Sequence, residues 1–225
     1  SKNVIRLKDT PLLLKEVLGL TLSGRFSVLN FKTIFSYFIQ AKHISRCVES
    51  NLSDLKINSL ALYSYWFYAE PLANILIKQQ ISCETKILSR CHGGDVYEEL
   101  QSGNYLPFRR LYLKKLDRIF PVSAIGKSYL NTKYGDRGNL ETSFLGVKQN
   151  LFIPHNESKK IRIVSIGALY SIKRIELIIE SLSLIHDIDV VWNHFGTGPD
   201  ETETLLLADE KLKPKSNIEY HFKGY

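Results

Sequence analysis

At 225 residues the chain has room for one large α/β domain or two small ones, at about 100–200 residues per domain. With 44% apolar and 24% charged residues, it reads as an ordinary soluble globular protein rather than a disordered, collagen-like or coiled-coil chain. A net charge of +7 raises the question of an anionic partner, and no apolar run reaches the 18 or so residues of a bilayer-spanning helix.

Residues 28–48 place Phe31, Ile34, Phe35, Phe38, Ile39 and Ile44 near helical spacing, with Lys32, Lys42 and Arg46 off that stripe, and predict an amphipathic helix. Residues 58–63 are a short apolar run that predicts a buried strand, and residues 69–79 a second helix. A strand over 85–89 then ends in Arg90-Cys91-His92-Gly93-Gly94-Asp95. Pro107 is expected to open a helix reaching Arg118, with Phe108, Leu111, Tyr112 and Leu116 on one face and Arg109, Arg110, Lys114, Lys115 and Arg118 mostly elsewhere. A strand over 119–123, a helix over 124–134 and a strand over 141–146 follow, and polar residues with Pro154 mark 148–160 as a linker. Beyond it come strand 162–166, a turn at Gly167, helix 172–184, strand 190–195, a turn over 196–199, helix 201–212 and strand 217–222. Strands alternating with helices predict an α/β fold with parallel sheets and helices on both faces, built as two Rossmann-like domains over 1–149 and 150–225.

The charge is uneven. Residues 1–150 carry 21 basic and 12 acidic side chains, whereas 151–225 carry 9 and 11. A basic first part fits nucleic acid, an anionic membrane surface or an anionic substrate, and equally a solvated lysine-rich surface. Tyr63, Tyr65 and Trp66 follow a buried strand without alternating with basic residues, so they are expected in the core, which sets a nucleic-acid-binding reading behind the others. Cys47, Cys83 and Cys91 lack C-x-x-C spacing, which argues against a disulfide framework or structural zinc and for a reducing, cytoplasmic compartment. The opening SKNVIRLKDT has charge where a signal peptide has an apolar core. The chain holds no Met, begins at Ser1 and stops just after a strand, so it reads as a piece of a longer protein.

Three strand-to-helix loops carry unusual chemistry, and in open α/β sheets ligands bind beyond the carboxyl ends of the strands. His92-Gly93-Gly94-Asp95 combines close backbone approach with groups that bond hydroxyls or phosphate. Gly167 to Arg174 ends with Lys173 and Arg174 at a helix N-terminus, where amides and the dipole favour an anion. Gly196-Thr197-Gly198-Pro199 is a glycine turn whose spacing is neither a dinucleotide fingerprint nor a Walker A loop. A generic Rossmann oxidoreductase is disfavoured by the missing G-x-G-x-x-G.

Taken in order, RCHGGDVYEEL with PFRRLYLKKLDRIFPVSAIGKSYL, then FLGVKQN, IVSIGALYSIKRIELIIESL, HFGTGPD and NIEYHFKGY resemble the retaining glycosyltransferases of the GT-B fold. The resemblance is to family 4, which builds bacterial surface polysaccharides and lipopolysaccharide, and it covers about residues 58–225. It implies an acceptor-side domain lacking its first strands, a hinge, and the start of a nucleotide-sugar-binding domain. It also implies transfer of a sugar from a nucleotide-diphosphate donor to a glycan or lipid-linked acceptor, with retention. His92, with Asp95 in its loop, would act at the donor sugar. Gly93, Gly167, Lys173, Arg174, Gly196, Gly198 and Gly224 would bind the donor, Lys173 at its diphosphate. Where the family usually has Arg after the turn glycine, this chain has Ala168; the paired glutamates of the family would follow Tyr225, and its first strand and glycine loop would precede Ser1. No metal and no cofactor are expected, because basic side chains and helix amides stabilise the leaving diphosphate. Helix 107–118 would meet anionic headgroups or a lipid-pyrophosphate acceptor, placing the protein in the cytoplasm or peripherally on the inner face of the membrane. The readings left beside this one are an inactive nucleotide-sugar-binding fragment or pseudoenzyme, and a basic nucleic-acid-binding α/β protein.

Overall fold

The computed structural model describes residues 10–52, 58–148 and 159–225. They divide into two units, within Ser1–Lys148 and Gln149–Tyr225, each with its own three-stranded parallel sheet and its own hydrophobic core. Most of the expected linker, including the boundary itself, lies outside the described residues.

The first unit runs α1 (Thr10–Leu22), α2 (Val28–Leu52), β1 (Ser59–Ser64), α3 (Glu70–Lys78), β2 (Glu84–Cys91), a single turn α4 (Gly93–Val96), α5 (Arg109–Lys115), β3 (Arg118–Pro121) and α6 (Ala124–Tyr134). In α2 the expected stripe turns Ile34 and Phe38 inward, but Phe31 and Ile39 stay exposed and Lys42, expected off the stripe, is buried; Ile34 and Phe38, joined by Ala41, meet Leu72, Ile87, Tyr112 and Ile119 in one core. Helix α1 has no counterpart in the periodicity reading, because leucines surround it. Leu13 and Leu20 are buried, while Leu14, Leu18 and Leu22 face outward. The sheet order is β1-β2-β3, with Ser64 level with Ser89 and Cys91 with Pro121, so β1, β2 and β3 end together at one edge.

Two expectations fail here. Helix α5 runs Arg109–Lys115, not Pro107 to Arg118: Leu116 is extended and Arg118 opens β3, and at the start Phe108 takes a left-handed turn (φ 62°) and caps the helix; its N–H donates to Glu16 Oε1 at 2.7 Å and its ring is buried. That turn rotates Arg109 into the interior instead of onto an outer basic face. Residues 141–146 form no strand. A single parallel bridge joins Leu140 to Ile119, Ser143 N–H still reaches Pro121 O at 2.9 Å, and Arg90 then takes the Ser143 and Phe144 carbonyls at 2.7 and 3.0 Å. With Phe144, Leu145 and Val147 exposed, no packed side chains extend the ladder.

The second unit runs β4 (Ile161–Ile166), α7 (Ile175–Ser183), β5 (Val190–Phe195), α8 (Glu201–Leu212) and β6 (Ile218–Phe222). Order β4-β5-β6 is parallel throughout. Helices α7 and α8 pack together and bury Ile179, Leu182, Ala208 and Leu212 with Trp192 of β5. The other face leaves Val164, Ile166 and Phe195 exposed, so among the described residues this sheet is covered on one face, not the expected two. Helix α7 begins three residues later than its apolar pattern suggests, because Arg174 is left-handed (φ 53°) and serves as its N-cap. Among the described residues no helix is long and apolar enough to cross a membrane.

A buried carboxylate ties the first unit's periphery. Glu98 is 2% exposed and accepts from Arg25 at 2.7 Å, Lys133 at 2.9 Å and the Tyr134 hydroxyl at 2.7 Å. Burial pushes this carboxyl up, but the three donors outweigh it and the net shift is downward. A carboxylate held low in the folded state stabilises above its unfolded value and loses that contribution as pH falls through the folded one. Glu98→Gln should therefore lose about 1–3 kcal/mol near neutrality, as for an unsatisfied buried group. In urea unfolding, its deficit against wild type should shrink below pH 4.5, the ordinary Glu value; a deficit constant down to pH 3 would remove Glu98 from this role.

Candidate functional site

At the carboxyl edge of the first sheet, β2 hands over to His92, the N-cap of α4. Asp95 is wholly buried. Its Oδ1 accepts from the His92 N–H at 2.5 Å and its Oδ2 from the Phe67 N–H at 2.7 Å, which pins the end of β2 to the bend after β1. Burial raises the Asp95 carboxyl above its usual range, against the pull of those amides and of Arg109. Arg109 donates to the Phe67 carbonyl and, at 2.9 Å, to the Asp95 carbonyl. Asp95 is thus occupied on both oxygens and holds the loop, while His92 lies nearer the surface. Gly94 is needed sterically, since a Cβ there would lie 3.1 Å from the Tyr68 hydroxyl; at Gly93 the nearest atom, Tyr97 Cε2, is at an ordinary 3.9 Å.

The aromatics expected in the core are not there. Tyr63, Tyr65 and Trp66 are 52%, 48% and 44% exposed. Tyr63 alternates with the buried Leu62 and Ser64 of β1, and past the strand end the inward positions go to Phe67 and Ala69. Burial is therefore no argument against a nucleic-acid reading. The rings of Tyr65 and Trp66 gather on His92, with centroids at 4.8 and 4.4 Å, rather than interleaving with basic residues.

In the second unit the glycine turns interlock. Gly167 N–H donates to Phe195 O at 3.0 Å, Leu169 N–H to Thr197 O at 3.1 Å, and Gly196 N–H to Gly224 O at 2.8 Å. A Cβ on Gly196 (φ +143°) would fall 2.0 Å from the Gly167 carbonyl oxygen, and one on Gly198 2.2 Å from that of Leu169. These two glycines are demanded by backbone meeting backbone, whereas nothing lies within 4 Å of a Cβ on Gly167. Beneath them Trp192 Nε1 donates to Ser165 Oγ at 2.9 Å, and Ser165 Oγ pairs with His194 Nδ1 at 2.8 Å. Burial holds the wholly buried His194 below the usual imidazole range.

Lys173 ends the 3-10 turn that precedes α7 and is exposed, and among the described residues it carries no ion pair. Arg174 is engaged by Glu176 at 3.7 Å. The structure thus brings Gly167, Gly196, Gly198 and Gly224 together, with Lys173 and Arg174 on the loop that leaves Gly167; His92, Gly93 and Asp95 form a separate cluster in the first unit. Sequence reasoning missed Tyr65 and Trp66, whose position just beyond a strand end was the available signal, and buried Arg109, which had none. The one Asp-x-Asp triplet, Asp187-Ile188-Asp189, precedes β5 and so sits at the amino edge, opposite the glycine turns. Among the described residues no three His, Cys, Asp or Glu side chains gather as a metal site.

No protein-family model matches the chain, and no curated protein matches it. Solved structures do resemble it in fold. One is a mutant of S. aureus TarM in complex with fondaparinux, α-GlcNAc-glycerol and UDP, at 17% identity and TM-score 0.50 over 70% of this chain and 32% of that one. Another is the lipopolysaccharide outer core galactosyltransferase WaaB in its apo form, at 12% identity and TM-score 0.53 over 83% and 49%. A third is the GtfA/B complex, at 15% identity and TM-score 0.55 over 80% and 37%. The fold class is α/β, with parallel-sheet Rossmann-like units of the GT-B kind. The chain spans about a third to a half of the length of these structures.

The glycine geometry sets a clear contrast. Gly196→Ala and Gly198→Ala should each cost about 2 kcal/mol or more, since backbone must move to admit the methyl group. Gly167→Ala should change stability by about 0.5 kcal/mol or less. Thermal unfolding of the three variants checks this, and equal losses would contradict the interlock.

Proposed function

We propose that this chain belongs to a retaining glycosyltransferase of family 4 type, moving a sugar from a nucleotide-diphosphate donor to a glycan or lipid-linked acceptor in surface polysaccharide or lipopolysaccharide synthesis. The observation that carries the reading is the cluster of four glycine positions at the carboxyl edge of the second sheet, with an exposed Lys173, free of ion pairs among the described residues, on the loop they anchor. The likeness of fold to a galactosyltransferase, and to a structure that holds UDP, supports it.

In this reading the second unit holds the nucleotide and its diphosphate. Lys173 and the positive end of the α7 dipole face the phosphate charge that grows as the bond to the sugar breaks, and this electrostatic term is the largest contribution to rate. Arg174, paired with Glu176, is the secondary cation. Gly167, Gly196, Gly198 and Gly224 shape the loops that line the nucleotide, and no metal or cofactor is required. In the first unit His92 meets the donor sugar beside Gly93, and Asp95 positions it through the His92 amide. The basic first unit rests against an anionic membrane surface on its cytoplasmic side, through α5 residues such as Arg110, Lys114 and Lys115; Arg109, being buried, takes no part.

Loss of one charged phosphate contact costs about 1.5–3 kcal/mol, or roughly one to two decades of affinity. Lys173→Ala should therefore weaken UDP binding at least tenfold in isothermal titration and lower kcat/KM with a nucleotide sugar by a similar factor. Equal UDP affinity in the two proteins would remove Lys173 from the site. A wild-type protein binding neither UDP nor GDP would remove the nucleotide-sugar reading altogether.

A further inference from the structure

A cavity of about 480 Å³ opens on the flank of the first unit, between α1, α5 and α6. Its volume falls within the roughly 300–1,000 Å³ of small-molecule sites. No residue of β1, β2 or β3 lines it, and none of His92 to Asp95. Leu12, Leu20, Leu106, Phe108 and Leu111 supply apolar walls.

The charge around it is one-sided. Seven basic and two acidic side chains line the cavity, and both acids are already engaged. Glu98 holds Arg25, Lys133 and the Tyr134 hydroxyl. Glu16 Oε1 accepts from the Tyr105 hydroxyl at 2.6 Å and from the Phe108 N–H at 2.7 Å. Four cations at the rim, Lys15, Arg110, Lys114 and Arg137, are exposed and make no ion pair among the described residues. Like charges gathered around one cavity repel one another, and an anion seated among them removes that cost.

A glycine points to the same place. Gly19 lies inside α1, where glycine weakens a helix, yet a Cβ on it would have nothing within 4 Å. Packing does not demand it. Gly19 lines the cavity, and its missing side chain leaves room there.

We infer that this cavity binds a phosphate ester with an apolar body, its phosphate among the four rim cations and its apolar part against the leucines of α1 and α5. Guanidinium groups such as Arg110 and Arg137 favour phosphate through their paired donors, and the leucine walls leave water when an apolar group enters. A ligand of this chemistry comes either from a membrane lipid or from the soluble pool. Leu14, Leu18 and Leu22, exposed on the same helix, favour the lipid. The site does not rest on the transferase reading.

Calorimetry on the full chain tests the site. The probes are dihexanoylphosphatidic acid below its micelle concentration, phenyl phosphate as a soluble ester, and dihexanoylphosphatidylcholine, whose headgroup has no net charge. At least one of the first two should bind, one per chain and at least tenfold more tightly than the phosphatidylcholine. Tighter binding of phosphatidic acid assigns the site to a lipid; tighter binding of phenyl phosphate assigns it to a soluble ester. Gly19→Phe fills the cavity without removing a charge and should weaken the bound probe at least tenfold, with no loss of thermal stability. Arg110→Ala combined with Arg137→Ala removes two exposed charges without touching the core, and should also weaken it at least tenfold. Binding of neither phosphate probe overturns the site, and so does equal binding of phosphatidylcholine. Wild-type affinity in folded Gly19→Phe, or in the double arginine variant, places the phosphate elsewhere on the basic surface and overturns it too. The transferase reading stands or falls separately, on UDP and GDP affinity.

Discussion

A guanidinium buried in the first unit fixes the geometry of the His92 site. Arg109 is 2% exposed, and a cation so deep is costly unless it is well compensated. Here the Phe67 and Asp95 carbonyls each take one N–H from its two terminal nitrogens, its Nε has no partner among the described residues, and the rings of Phe67 and Tyr112 lie 4.5 and 5.4 Å from its carbon. The Asp95 carboxylate adds a counter-charge while binding the Phe67 and His92 amides. Together the two residues tie the bend after β1 to the turn after β2. Tyr65, Trp66 and His92 all lie on those two segments, so their mutual placement follows from one buried arginine and one buried aspartate.

The second unit solves the same problem without charge. Its loops at the sheet edge are locked by backbone hydrogen bonds and by contacts too close for any side chain at Gly196 or Gly198. The glycines there act first on each other's backbones and only through that on whatever the edge binds. Gly167 is the exception: a Cβ on it would meet open space, and the loop leaving it carries the exposed Lys173. Ser165, Trp192 and the buried His194 stiffen the strands directly beneath.

The alternation of strands and helices was legible because β-branched and aromatic runs of four to six residues alternate with helical spacing, and β4, β5, β6, α6 and α8 fall within a residue of expectation. Three kinds of feature were not legible. Helix α1 has leucines all round, so its pattern has no clear period. The starts of α5 and α7 depend on left-handed turns at Phe108 and Arg174, residue types that rarely adopt them, and the first of these sends Arg109 inward against its polar character. The exposure of Tyr65 and Trp66 contradicts hydrophobicity alone, since the core positions beyond β1 were already filled by Phe67 and Ala69. Site chemistry was readable at the glycines and the loop cations; the aromatic surface, which no charge or glycine marks, was not.

The central claim is that these loops hold a nucleotide sugar, and saturation-transfer NMR on the wild-type protein tests it most directly. With UDP-glucose, UDP-galactose, UDP-N-acetylglucosamine and GDP-mannose as ligands, the account predicts that at least one receives saturation at both its nucleotide and its sugar protons, and that unlabelled UDP or GDP displaces it. Absence of transfer to all four at millimolar concentration, from protein shown to be folded, would contradict it.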